Sequence, residues 1–455
     1  MDFDTIAAIS TGLTPGGIGI VRVSGKDAVA LCAPLVKLSF GPLGEAKPNH
    51  LYYGRIFDGE KQLDEGLIAV LKAPHSYTAE DTVELQCHGG PFVLTKILEL
   101  VLKAGARLAE PGEFTKRAFL NGRLDLSEAE AVMSLIEAGN EFARDTAVKQ
   151  LSGSVSEEIA ALRAVILEET AFIEAALDDP EHYSLDGYPQ TLRPKITALL
   201  ERISSLIGNA DRGRQLAEGV VTTILGRPNV GKSSLMNRLL GEERVIVTAT
   251  PGTTRDTIEE TLRLGALTLR LADTAGLREG AGEIEQVGIE RALKRAADSE
   301  LILYVLDGSQ TLSEEDAALL SQFPEKKSLV LINKSDLPAV LDAEDIARRF
   351  EKPVIWVSAA SGEGIRTLEK KLEEMFALSE IRESPLVITN LRHKILLNDA
   401  YKALNIVVDT IDQGLPEDFY TVDLLEAYRA LGLIIGAEAD DDLVNEIFSK
   451  FCMGK

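Results

Sequence analysis

Residues 220–234 read VVTTILGRPNVGKSS. A short apolar run rich in valine, threonine and isoleucine leads into Gly226, Gly231, Lys232 and Ser233, in the spacing G-x-x-x-x-G-K-S. A strand running through such a loop into a helix predicts a phosphate cradle. Successive loop N–H groups converge on an anion, Lys232 reaches the β/γ oxygens, and the Ser233 hydroxyl serves as a magnesium ligand. Asn229, Val230 and Ser234 complete the loop. A glycine-rich turn without a ligand is the plain alternative, and the strand–loop–helix context leaves it little to explain. From about Val220 to Ala377 strands alternate with helices, which predicts a mainly parallel α/β sheet.

Further elements follow in a consistent order. "ATPGTTRD" offers Thr253 and Thr254, whose hydroxyls suit a magnesium shell. Asp273 closes the strand "LTLRLAD", and the Gly276 N–H is placed to meet a γ-phosphate, with Thr274 and Ala275 between them. "LVLINKSD" supplies Asn333, Lys334, Ser335 and Asp336. A carboxylate at Asp336 accepts from the N1–H and exocyclic amine of guanine, a donor pair that adenine lacks. "VIWVSAA" brings Ser358, Ala359 and Ala360 beside the base. Five elements in order predict a guanine-nucleotide site that takes GTP or GDP.

Leu277 follows "DTAG", where signalling GTPases carry a glutamine that orients the attacking water. A leucine cannot hydrogen bond, so another group has to organise that water. Glu279, Glu283 and Glu285 lie just downstream, and Glu285 reads either as this group, acting through a water, or as a helix-start acid favoured by the dipole. The transition state also needs positive charge from an arginine or a cation. Asn229 reads either as a turn residue or as a monovalent-cation ligand, with carbonyls of "TATPGT" completing the shell.

Outward from this unit, the first 120 residues alternate β-like runs ("GIGIVRVSG", "LYYGRIF", "EGLIAVLKA", "TVELQCHGG") with turns. The helical stretch "PFVLTKILELVLKAG" follows, predicting an α+β module. From Leu126 the period becomes helical, and Ser127 with Glu130 has the spacing of a capping box. Two long amphipathic stretches follow, interrupted by the loop "DDPEHYSLDGYPQ". Helices return after Ala377. Helical sequence on both sides of the α/β unit predicts its insertion into one all-α domain, against two separate helical domains. The expected boundaries are 1–120, 121–218, 219–377 and 378–455.

Across 455 residues, 48 basic and 72 acidic side chains leave a net charge of −24. Counterion release needs clustered Lys and Arg, and no such run occurs. Nucleic-acid contact is therefore expected to be local or shared with a partner, against acidity serving solubility alone. No apolar run approaches membrane-spanning length, and the acidic start "MDFD" lacks a basic leader. Cys32, Cys87 and Cys452 are odd in number and far apart, which fits a reducing cytosol rather than a disulfide framework.

"ELQCHGGP", "PGEFTKRAFLNGRLDLSEAEAV", "GRPNVGKSSLMNRLL", "PGTTRD", "DTAGLRE" and the terminal "FCMGK" together resemble the tRNA-modification GTPase family MnmE, also called TrmE. The resemblance spans all three regions. It implies a cytoplasmic homodimer joined through the N-terminal domain, working with the FAD-binding protein MnmG on carbon 5 of wobble uridines. The added group is carboxymethylaminomethyl or aminomethyl. It also implies hydrolysis stimulated by K+ through G-domain dimerisation, and a tetrahydrofolate derivative (5-formyl or methylene) on the N-terminal domain. Carried over by motif, potassium falls to Asn229 and the loop Thr248, Ala249, Thr250, Pro251, Gly252 and Thr253, with Thr248, Thr250 and Thr253 as ligands. Mg2+ falls to Ser233 and Thr254. The water-organising acid is then Glu285, and Arg278 assists loop closure. Folate falls to Arg22, Glu84, Arg123 and Lys455. Cys452 lies in a tail where Met453 takes the family's aliphatic place, and the resemblance implies that it lies near the folate site and matters for modification. A regulatory GTPase of ribosome assembly or signalling, or a folate enzyme with an accessory G domain, are the competing readings. The first leaves "CHGGP" and the cysteine tail without a role.

Overall fold

The computed structural model describes residues 4–39, 41–242, 260–265, 267–271, 293–376, 381, 384 and 386–455. The chain divides into two units, each discontinuous in sequence. One comprises Met1–Met133, Lys149–Arg193 and Lys402–Lys455, the other Ser134–Val148 and Pro194–Tyr401.

In the first unit, seven strands form one sheet in the order β3-β4-β5-β6-β2-β1-β7. They are β1 (Ile6–Ile9), β2 (Gly16–Ser24), β3 (Val36–Leu38), β4 (His50–Asp58), β5 (Lys61–Leu71), β6 (Thr82–Gly89) and β7 (Arg107–Leu108). Most neighbours are antiparallel, so alternate side chains divide between two faces. Val21, Val23, Ile56, Ile68, Val83, Leu85 and Cys87 point into a core with Leu94, Ile97 and Val101 of the helix Pro91–Lys103. Proline opens this helix, where its missing N–H costs nothing. The opposite face carries Arg22, Glu84 and Gln86, and beside them exposed Leu51, Tyr53 and Leu67.

The same unit contains the long helices Ser154–Asp178 and Asp418–Ile435. A smaller apolar cluster joins Leu126, Met133 and Phe448. The helix Leu126–Glu137 corrects one expectation. Its capping box is Asp125 with Glu128, not Ser127 with Glu130. Glu128 N–H donates to Asp125 Oδ1 at 2.9 Å, and Asp125 N–H donates to Glu128 Oε2 at 2.9 Å. Both residues suit the spacing, but Asp125 is a full charge at the positive end of the helix, and Ser127 instead donates its hydroxyl to that carboxylate at 2.7 Å.

An ion cluster ties β1 to the helix Glu113–Leu120. The guanidinium of Arg117, 2% exposed, donates to Asp4 Oδ1 at 2.9 Å and to Glu113 Oε1 at 3.0 Å, and lies 3.3 Å from Glu80. Arg107 adds bonds of 2.7 Å to Asp4 and 2.6 Å to Glu113. Burial pushes the Glu113 carboxyl up, yet the bonds from Arg107, the Glu110 N–H and Arg117 outweigh it and hold it below its ordinary value. Asp4 is likewise lowered, chiefly by Arg107.

In the second unit, β8 (Val220–Leu225), β9 (Glu260–Leu264), β10 (Leu267–Leu271), β11 (Leu301–Asp307), β12 (Ser328–Asn333) and β13 (Val354–Trp356) form a sheet in the order β13-β12-β11-β8-β10-β9. All pairings are parallel except β9 with β10. β11 and β12 are buried throughout, as a parallel strand covered on both faces demands.

Lowered carboxyl values in the fold mean stability present at neutral pH and lost as pH falls through those folded values. Arg117→Met should cost about 1–3 kcal/mol by removing charge-assisted hydrogen bonds to Glu113 and Glu80, while Arg107 still pairs Asp4 and Glu113. It should also flatten the loss of stability between pH 5 and 3 that the natural chain shows in urea melts (both about the ordinary carboxylate range). An unchanged acid slope would refute the cluster's role.

Candidate functional site

The loop 226–231 joins β8 to the helix Lys232–Glu242. Gly226, at φ 154, has no room for a Cβ, which would strike the backbone oxygen of Val305. Gly231, at φ 96, abuts the Asn333 amide in the same way. Both positions therefore need glycine for conformation and for space. Lys232 Nζ donates to the carbonyls of Gly226 at 2.6 Å and Arg227 at 2.7 Å, so the loop's curvature is held by its own lysine. Val230 is 2% exposed and pins the loop to the core, while Asn229, at φ 62, is exposed at the bend. Ser233 and Ser234 are exposed in the first helical turn, where N–H groups and dipole favour an anion.

The 333–336 loop stands against this cradle. Asn333, at the end of β12, donates its side-chain N–H to Val230 O at 2.9 Å and accepts from Ala359 N–H at 3.0 Å. Asp336 Oδ1 accepts from the hydroxyl of fully buried Ser358 at 2.5 Å, which fixes an exposed carboxylate in one orientation. Ser335 N–H donates to Val357 O at 3.1 Å, and Ala360 is exposed at the rim. Asn333, Lys334, Asp336, Ser358 and Ala359 are thus brought together beside the phosphate loop. The arrangement joins an anion cradle to an oriented carboxylate, and it can hold a nucleotide whose base offers paired donors.

Two carboxylates outside the sequence motifs, Asp307 and Asp316, support the two loops. The Lys334 ammonium donates to Asp307 Oδ2 at 2.6 Å. Burial pushes the Asp307 carboxyl up, but Lys334 and Ser309 outweigh it and hold it below its usual value. Arg227 Nε donates to Asp316 Oδ1 at 2.8 Å, and Asp316 is 3% exposed. The one available signal was Asp307 itself, an acid closing the apolar strand "LILYVLD".

Thr248, Ala249, Thr250, Pro251, Gly252, Thr253, Thr254, Asp273, Thr274, Ala275, Gly276, Arg278 and Glu285 lie outside the described residues. Among the described residues no group of three or more His, Cys, Asp and Glu is placed to hold a metal. No helix there is long and apolar enough to cross a membrane.

The N-terminal sheet carries a second polar constellation. Arg22 on β2 pairs across to Glu84 on β6 at 3.0 Å, and both side chains are 15% exposed. Its Cζ lies 5.4 Å from the Tyr77 ring centroid and 5.6 Å from that of Phe114. Arg22 Nη1 is buried and meets no hydrogen-bond partner among the described residues. Arg123 approaches the same Tyr77 ring at 5.0 Å and donates to the Tyr77 carbonyl at 2.7 Å. Burial depresses the Lys455 amine, and the like charge of Arg22 adds to this against Glu84 and Cys452. The tail is tied down by Gly112 N–H to Cys452 O at 3.3 Å and Phe114 N–H to Lys455 O at 3.2 Å. Cys452 is exposed, whereas burial raises the Cys32 thiol to about 12 and the Cys87 thiol to about 11.

The parallel sheet, the phosphate loop after its β8 strand and the base-side loop after β12 define a P-loop GTP hydrolase. The family model described as the MnmE helical domain matches residues 126–452, and that of the GTP-binding protein TrmE N-terminus matches 5–123. The proteins named tRNA modification GTPase MnmE of Lachnoclostridium phytofermentans and Clostridioides difficile are 49% and 44% identical. The alignments cover 100% and 99% of this chain and the same shares of those proteins. That of Geobacillus kaustophilus is 42% identical over 100% of both chains. The chain belongs to the MnmE family of tRNA modification GTPases.

Asn333→Ala unpairs the Val230 carbonyl and the Ala359 N–H. It should cost about 1–3 kcal/mol of stability in the second unit and weaken GDP binding measured by calorimetry. Unaltered GDP affinity would exclude the strut role.

Proposed function

We propose that this chain is the potassium-stimulated GTP hydrolase of a tRNA wobble-uridine modification system, acting on carbon 5 together with an FAD-binding MnmG partner. The observation that carries the nucleotide part is Asp336, held by buried Ser358 beside a phosphate loop whose glycines admit no side chain. Family membership supports the tRNA part. The proposed domains are 1–120 for folate binding and dimerisation, 121–218 and 378–455 as one helical domain, and 219–377 as the inserted GTPase, all in a cytoplasmic protein.

Asn229 fits a cation ligand in that its side chain is exposed at the outer bend of the loop. The remaining proposed ligands fall at 248–253. A bound potassium ion would supply positive charge to the transition state. Ser233 and Thr254 would hold magnesium, and Glu285 would orient the attacking water. Hydrolysis should be several-fold faster in potassium than in sodium at equal ionic strength, on the order of one charge-assisted contact to the transition state. Equal rates would remove the cation from the reading.

The second constellation suits a tetrahydrofolate derivative by its donor set. Buried Arg22 Nη1 has capacity to donate, Glu84 can accept from a ring amine, and Arg123 with Lys455 offers charge to a carboxylate tail. When bound, the folate would supply a one-carbon unit, with exposed Cys452 nearby in the tail and its step unassigned. The outward Leu51, Tyr53 and Leu67, on the same sheet face as Arg22, support a homodimer through this domain. Digestion of tRNA from cells lacking the chain, analysed by mass spectrometry, should show unmodified wobble uridines. Normal modification in those cells would overturn the assignment in favour of a regulatory GTPase.

A further inference from the structure

The two loops of the nucleotide site are each anchored to the connection that leaves β11, and neither anchor belongs to a recognised nucleotide motif. At its start Asp307, 4% exposed, accepts four hydrogen bonds. Ser309 gives its N–H at 3.0 Å and its hydroxyl at 2.7 Å, the Gln310 amide lies at 3.1 Å, and Lys334 Nζ at 2.6 Å. The carboxylate is thus fully oriented before it meets the lysine. Lys334 has its backbone at φ 67, a conformation that a lysine rarely adopts. Lys334 thus links the oriented Asp307 carboxylate to a backbone one residue from Asn333 and two from Asp336.

At the far end of the connection Asp316 opens the helix Glu314–Ser321. There it accepts at Oδ2 from the Ser313 hydroxyl at 2.8 Å and N–H at 3.2 Å, and at Oδ1 from Arg227. The Arg227 carbonyl in turn receives the phosphate-loop lysine. The backbone between the anchors is itself tied to the base-side loop, since Gly308 N–H donates to Asn333 O at 2.8 Å and Val340 N–H donates to Gly308 O at 2.8 Å.

We propose that Asp307 and Asp316 are positioning residues that set the guanine loop and the phosphate loop at the span of one nucleotide, Asp307 through Lys334 and Asp316 through Arg227. The inference rests on reading 333–336 as the guanine loop. Neither carboxylate touches the nucleotide. Asp307 governs the base end, so its loss lowers selectivity, whereas Asp316 governs the phosphate end, so its loss weakens every nucleotide alike.

The test is calorimetric binding of GDP and ADP to the full chain. Asp307→Asn should weaken GDP about tenfold, the scale of one charge-assisted hydrogen bond, with ADP little changed, so the preference for guanine falls. Asp316→Asn should weaken both by a similar factor. A double-mutant cycle separates positioning from general support of the fold: in a Lys334→Met background Asp307→Asn should add less than about twofold, and likewise Asp316→Asn in Arg227→Met. Losses that multiply in either cycle, or unchanged GDP affinity in both single variants, would overturn the proposal. Should Asp307→Asn not fold, Ser309→Ala with Gln310→Ala keeps the charge but frees its orientation, and should lower the same guanine preference. Asp336→Asn is the control. If it leaves the preference intact, the guanine-loop reading has failed and this proposal with it. If it abolishes the preference while the cycles multiply, only the positioning role is lost.

Discussion

Asn333 spans two loops with one side-chain amide, its nitrogen on the Val230 carbonyl and its oxygen on the Ala359 N–H. Several features of the nucleotide site refer back to that bridge. Val230 lies in the phosphate loop, Ala359 follows the serine that orients Asp336, and Gly231 has no Cβ because the same amide occupies the space. The asparagine is therefore a strut between the two loops. Because it is buried, each bond it makes is costly to lose, and the two halves of the site keep a fixed separation.

The phosphate loop was the most legible part of the sequence because its chemistry is local: glycine, lysine and serine act through backbone geometry set within eight residues. The parallel sheet followed from alternation alone, and β2, β4, β5, β6 and the helix Pro91–Lys103 fell where their β-branched runs and opening proline put them, whereas the short β1 and β3 carried no such run. What escaped was non-local. Asp307 and Asp316 act on Lys334 and Arg227 across 27 and 89 positions, and no spacing rule connects such pairs. Arg117 looked like one more charge in "EFTKRAFL", yet the fold sinks it among three carboxylates. The misplaced capping box shows the limit even at short range, where two adjacent patterns competed and the stronger charge took the helix end.

The two polar constellations solve a similar physical problem in different ways. The nucleotide loops use glycine to bring backbone donors close and hold Asn333, Lys334 and Asp336 by bonds within the protein. The N-terminal sheet instead leaves Arg22 with buried, unspent capacity beside an aromatic ring. A site held by its own side chains is ordered before its ligand arrives; one with an unspent donor has a hydrogen bond left to offer a ligand.

The contrast among the three sulfur atoms has a practical outcome. Cys32 and Cys87 are sealed in the first unit's core with thiols too weakly acidic to react near neutrality, while Cys452 is an exposed residue. A maleimide fluorophore should therefore attach at one position of the unaltered chain, in a tail pinned to residues 112–114. The native polypeptide thus comes with its own address for a distance ruler, and no cysteine needs to be removed to use it.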